Sequence, residues 1–295
     1  MGVILSLVGF ILAGVEGILW AGVLGVLILV ISPNISPSFI FSMYKGKLLS
    51  AENAPGLYHI SQELSARAGL SVPPALYYLP SQMMNAFSVG TSANPAIGLS
   101  DALLNSLTMR EIVAVLAHEI SHIQHNDIRV MTYADVISRI THTLSLTGFV
   151  LIFLNLPLYI LGMVTISWFA VGVLIMAPNI MSFLQLSLSR MREFDADRQA
   201  VLLTGDPEGL AMALSKLEAY ETSILDILFG RGYSKSIPSI LRTHPGTEER
   251  IERLLSLKGL PNLALEYSNH DRFAIPVHYQ KSIRKPRWHF GGFWY

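Results

Sequence analysis

The chain has 295 residues, a formal net charge of zero and no cysteine, and it is 51% hydrophobic but only 14% charged. An ordinary soluble domain carries about 25% charged residues, so part of this chain is built for a medium other than water. The missing cysteines exclude a disulfide scaffold, a thiolate zinc site and a thiol nucleophile. Balanced charge without a basic helix face argues against a nucleic-acid partner.

The apolar residues gather in two blocks. In the first, from Met1 to Tyr44, the only charged residue is Glu16. As one helix, Gly2 to Ile31 would be about 45 Å long, against a hydrocarbon core of about 30 Å. We expect one long span; the alternative is two short segments hinged near Glu16 and Gly17. Glu16 is either a functional carboxylate within the span or a hinge or interface residue. The run is too long, and lacks the basic start, for a cleaved signal peptide.

Pro55 to Ala68 reads as an amphipathic helix, with Leu57, Ile60 and Leu64 on one face and Gly69 as its stop. Short strands are expected at Ala75–Leu79, Asn85–Val89 and Ala96–Leu99, separated by Gly, Pro, Ser and Asn. A short helix over Ser100 to Leu107 would precede a capping box, Thr108-Met109-Arg110-Glu111, that opens a strong helix.

The second apolar block, Ile140 to Ser189, contains no Asp, Glu, Lys or Arg. It is long enough for two spans of about 20 residues and a turn, which we expect at Asn155-Leu156-Pro157. Lys45, Lys47, Arg129, Arg139, Arg190, Arg192 and Arg198 flank the blocks, whereas the hairpin turn has no basic residue. The positive-inside rule puts residues 45–139 and 190–295 together on the cytoplasmic side. Beyond the hairpin, Met191 to Leu203 continues as helix, and Asp206-Pro207 caps another to about Tyr220. Ser223 to Ser239 reads as loop, and Pro245 to Leu257 as a short charged helix. The basic, aromatic tail from Pro261 is expected to hold little regular structure. It could rest on anionic headgroups or form a free end.

The chemistry begins at His118-Glu119-Ile120-Ser121-His122. Residues four apart on a helix share a face, so both imidazoles leave the same side about 6 Å apart along the axis, as two ligands of one zinc require. Glu119 suits a general base better than a ligand. Two surface histidines are the plain alternative. The flanking Val115, Leu116, Ala117, Ile120 and Ile123 instead make the helix a buried one, where unpaired imidazoles would be costly. The third ligand could be His125, which lies two turns from His118, or Glu193 on the helix leaving the hairpin. We prefer Glu193. Asp197, one turn further, would accept a ring N–H from His118 or His122. Without a metal nearby, Arg190 to Arg198 would read as a solvated charge cluster.

His118-Glu119-Ile120-Ser121-His122, followed after the hairpin by Arg190-x-Arg192-Glu193-Phe194-Asp195-Ala196-Asp197-Arg198, resembles the HtpX-type heat-shock membrane metalloproteases. These are gluzincins related to the CAAX prenyl endopeptidases. Asn85-Ala86-Phe87, Asp127, and Thr243-His244-Pro245 with Arg250 extend the resemblance over roughly Leu57 to Leu255. It implies one Zn2+ per chain, held by His118, His122 and Glu193, with Glu119 catalytic. It also implies that Asn85, Ala86 and Phe87 bind substrate backbone as an edge strand, and that Asp127 stands behind the zinc ligands. His244 and Arg250 would meet the substrate or the oxyanion; by position alone they are a loop histidine and a helix-surface arginine.

The expected protein is thus mainly α and integral to the membrane, with a zincin-like α+β catalytic domain that contains a small β-sheet and is interrupted by a transmembrane hairpin. Its parts are residues 1–44 (membrane segment and linker), 45–139 and 190–260 (catalytic), 140–189 (hairpin) and 261–295 (tail). The expected activity is zinc-dependent hydrolysis of peptide bonds in protein or peptide substrates, in membrane protein quality control, with the lipid bilayer as the other partner. The resemblance implies a bacterial plasma membrane with the catalytic domain cytoplasmic; the oligomeric state is open. Alternatives are CAAX-type processing and a catalytically silent zinc-stabilised adaptor. A metal transporter would need mid-membrane ligands, whereas both ligand segments lie outside the apolar blocks.

Overall fold

A computed structural model of the chain describes residues 1–31, 36–229 and 247–257, with Trp288–His289 and Phe293–Trp294. In chain order the elements are α1 (Gly2–Ile31), α2 (Pro37–Met43), β1 (Lys47–Leu48), α3 (Pro55–Arg67), β2 (Ala75–Leu79), β3 (Ala86–Thr91), β4 (Asn94–Ser100), α4 (Asp101–Ser106), α5 (Met109–Gln124), α6 (Asp127–Ile160), α7 (Trp168–Thr204), α8 (Pro207–Phe229), α9 (Thr247–Ser256), β5 (Trp288–His289) and β6 (Phe293–Trp294). By its contacts the chain divides into two units, Met1–Asn34 with Arg129–Ser189, and Ile35–Ile128 with Arg190–Tyr295.

The first unit is helical and apolar. Helix α1 is not one straight span. Its backbone breaks at Ala13 (φ −145°) and Gly14 (φ +62°). The two halves then approach closely: a Cβ on Gly17 would stand 1.9 Å from the Gly9 carbonyl oxygen, so only glycine permits the contact. Leu5 and Ala21, one from each half, share a buried cluster with Ile140. The expected single span is therefore corrected to two short segments. Their reversal lies at Ala13–Gly14, just before the Glu16-Gly17 pair named as the alternative hinge. Glycine at 14 supplies the positive φ that a β-substituted residue resists.

Helices α6 and α7 contain the second apolar block. The hairpin turns after Ile160, where Gly162 takes φ +72°, not at Asn155-Leu156-Pro157 as expected. Asn155 stays within the helix, its side-chain amide donating to the Leu151 carbonyl. Leu174 lies against Gly148, and Val8, Leu174 and Ala177 form a small buried cluster. Among the described residues, three stretches are long and apolar enough by length and composition to cross a membrane, Gly2–Leu27, α6 and α7, the first of them interrupted by the reversal at Ala13–Gly14.

The second unit is α+β. The sheet order is β1-β2-β4-β3, with β2 and β4 parallel and the other pairs antiparallel. Strand β3 is an outer strand, and α5 packs against it. Helix α5 begins where expected: Thr108 and Glu111 form a reciprocal capping box, and Lys216 from α8 also holds the Glu111 carboxylate at 2.7 Å. Ile112, Leu116, Ile120 and Ile123 are fully buried, so α5 is the spine of the core.

Helix α8 continues to Phe229, past the loop expected from Ser223. The residues there include Ile224, Leu225, Ile227 and Leu228, and no glycine or proline interrupts them before Gly230. In the tail, where little regular structure was expected, β5 pairs antiparallel with β6 in a two-residue ladder.

Candidate metal centre

Helix α5 delivers His118 and His122 one turn apart, and the charged end of α7, beyond the apolar block, delivers Glu193. Their donor atoms converge. His118 Nε2 and His122 Nε2 are 3.2 Å apart, and Glu193 approaches the first with Oε2 at 3.5 Å and the second with Oε1 at 3.9 Å. A tetrahedral zinc with bonds near 2.0–2.1 Å sets its ligand atoms about 3.3–3.4 Å apart, and one donor atom from each of these side chains lies within 4.8 Å of the others, close enough for one ion to gather them. Among the described residues they form the group able to hold one.

The outward ring nitrogens meet carboxylates. His122 Nδ1 lies 2.9 Å from Asp127 Oδ2, and His118 Nδ1 lies 3.1 Å from Asp197 Oδ1. The second contact is an ion-pair separation without good hydrogen-bond alignment. Both carboxylates are held in turn. Arg192 Nη1 is 3.2 Å from Asp127, and Arg250 donates Nε and Nη2 to Asp197 at 2.7 and 2.6 Å. Arg250 Nη1 also reaches Glu193 at 2.9 Å.

The electrostatics favour a cation. Burial disfavours a proton on His118, yet Asp197 and Glu193 outweigh it and raise its pKa to about 10. Burial pushes Asp197 up, but Arg250 and His118 more than offset this and hold it below the usual carboxylate range. Counting these groups alone, the carboxylates of Glu119, Glu193, Asp197 and Asp127 are met by the guanidinium groups of Arg192 and Arg250. Carboxylates thus outnumber guanidinium groups around the histidines, which favours a bound cation there.

Glu119 is buried on the same helix, beside His118. Ala86 and Phe87 lie in the outer strand β3, and Asn85 stands just before it, its N–H donating to Ser100 Oγ. The Phe87 ring stacks on Phe41, with centroids 5.4 Å apart, so this side chain is partly committed to packing. Arg250 is corrected from a helix-surface arginine to a buried one whose guanidinium is spread over Asp197 and Glu193. His125 is not a member of the converging group; its Nδ1 meets the Ser121 carbonyl at 2.9 Å. His244 lies outside the described residues. Arg192 is the site residue that sequence reasoning missed. Nothing local distinguishes it from the other arginines after the hairpin, because its partner Asp127 is on another helix.

Residues 51–258 match the family model for peptidase family M48. The chain belongs to that family. A protease HtpX homolog of Ralstonia nicotianae is 32% identical over 235 residues, covering 75% of this chain and 80% of its own. Another from Sulfurovum sp. is 35% identical over 241 residues, covering 74% and 82%. The crystal structure of S. mikatae Ste24p matches with a TM-score of 0.54 and 25% identity, over 86% of this chain and 62% of that one. This M48 member is an integral membrane metalloprotease of the HtpX type, as its sequence resemblance implied.

Proposed function

We propose that this M48 member is a zinc endopeptidase in which His118, His122 and Glu193 hold the ion and Glu119 is the general base. The carrying observation is the convergence of three donor atoms, with carboxylates behind both histidines. When bound, zinc supplies a Lewis acid that acidifies water and offsets charge on a developing oxyanion. Glu119 takes the proton from the attacking water and gives it to the leaving amine. Asp127 accepts from His122 Nδ1 and fixes that imidazole with its ligating nitrogen unprotonated, and Asp197, 3.1 Å from His118 Nδ1, favours the same tautomer there by its charge. Arg250 acts as a positioning residue that holds Glu193 and Asp197 together. The family resemblance supports Asn85, Ala86 and Phe87 as the substrate-binding segment; the Asn85 N–H and carbonyl are already bonded to Ser100, so backbone for an extended substrate would come from the outer strand beyond Asn85. The family resemblance alone supports a role for His244 at the substrate or oxyanion. It also supports a bacterial plasma membrane, a cytoplasmic catalytic unit and a part in membrane protein quality control.

Zinc content and casein cleavage, measured on detergent-solubilised wild type and Glu119→Gln, test the reading. Zinc in both with cleavage lowered about 10²–10⁴-fold in the variant is expected. An equally active Glu119→Gln protein would sink the assignment. Zinc without cleavage in either would favour the silent adaptor.

A further inference from the structure

Helix α2 is apolar on two opposite faces. Pro37 and Phe41 are buried, with Phe41 stacked on Tyr77 at a centroid distance of 4.3 Å. Phe39 and Met43, one turn apart on the other face, are 61% and 57% exposed. A surface helix ordinarily pairs its apolar stripe with a polar face, so the outer stripe calls for an apolar medium.

Three observations identify that medium. The first is the tether. Residues 32–36 are all that joins α1, an apolar membrane-type helix, to α2, and so short a link spans about 20 Å at full extension. The second is charge: Lys45 and Lys47, which follow the stripe directly in sequence, are both exposed. The third is backbone. Lys45 takes φ +55° at the helix end, where glycine is the ordinary choice. A lysine there, its N–H bonded to the Ser42 carbonyl, puts a cationic side chain at the close of α2 where a glycine would have been easier to accommodate. An apolar stripe edged by lysines and tethered to a membrane segment matches the boundary between headgroups and acyl chains.

We infer that Phe39 and Met43 dock on an anionic lipid surface, with Lys45 at the headgroup phosphates. Phe41 ties this element to the sheet, since it stacks on both Tyr77 and Phe87. Docking therefore fixes how strand β3 is presented to the bilayer. The inference depends neither on zinc nor on the catalytic assignment.

The chain has no cysteine, so single labels are unambiguous. Phe39→Cys and Met43→Cys carry an environment-sensitive fluorophore in the full-length protein, reconstituted in vesicles with or without anionic lipid. Val72→Cys, at another exposed apolar position of the same unit, is the control. Nitroxide lipid labelled near the headgroup should quench the labels at 39 and 43 but not at 72, and more strongly in anionic vesicles. Adding Lys45→Glu should weaken docking by at least about fivefold, the attraction expected of one lysine at such a surface. Quenching at 39 and 43 no greater than at 72 would overturn the inference. So would a buried fluorescence signal without lipid quenching, because a protein surface would then cover the stripe. Quenching unaffected by lipid charge and by Lys45→Glu would overturn the anionic partner.

Discussion

The unit formed by Met1–Asn34 and Arg129–Ser189 uses its apolar side chains in the opposite way to the unit formed by Ile35–Ile128 and Arg190–Tyr295. In the second, Leu103, Leu116 and Ile120 are fully buried in one continuous core. In the first, Phe153, Ile160, Trp168 and Phe169 are 70–74% exposed, and the buried clusters are small. Water drives the apolar groups of one unit inward, whereas lipid accepts those of the other. The first unit must therefore gain its internal contacts from close backbone approach, as at Gly9 and Gly17.

The largest expected effect on stability comes from the second unit's buried charges. Arg250→Met leaves Asp197 and Glu193 without their shared cation, and should destabilise the metal-free protein by about 3–5 kcal/mol. Hydrogen exchange in detergent, read by mass spectrometry, should show the loss in α5 and α9; unchanged protection there would refute the positioning role. The contrast between the units is tested by a matched pair. Leu116→Ala should cost about 2–5 kcal/mol in the same measurement, and Phe153→Ala far less, because lipid already surrounds that ring. Equal losses would erase the contrast. Phe153→Arg sharpens it: an arginine near mid-span carries an insertion penalty of about 2.5–3.5 kcal/mol. A membrane-insertion assay that found no penalty would remove lipid as the partner of this surface. The smallest effect is at Thr108→Ala, which removes the α5 cap and should cost about 1 kcal/mol by thermal unfolding.

Where the pattern was local, the sequence could be read. The capping box at Thr108, the strand Ala75–Leu79 and the stop at Gly69 depend on nearest neighbours and on backbone preference. The shared face of the two histidines also follows from one helical turn. The N-terminal reversal and the late hairpin turn were misplaced: Asn155 and Pro157 are turn-type residues, yet Asn155 bonds to the Leu151 carbonyl within the helix, and the chain changes direction at Gly14 and Gly162, where a positive φ is needed. The loop expected from Ser223 failed for a related reason: α8 runs on through apolar residues that no glycine or proline interrupts.

By itself the sequence determined the two apolar blocks, the metal-binding spacing on α5 and a carboxylate candidate beyond the hairpin, since composition and periodicity are properties of single segments. Only the tertiary structure decided that Arg250 is buried against both Asp197 and Glu193 and that Arg192 reaches Asp127. Those pairings join residues from separate segments, and a charge selects such a partner only when folding has brought both into the same poorly solvated space.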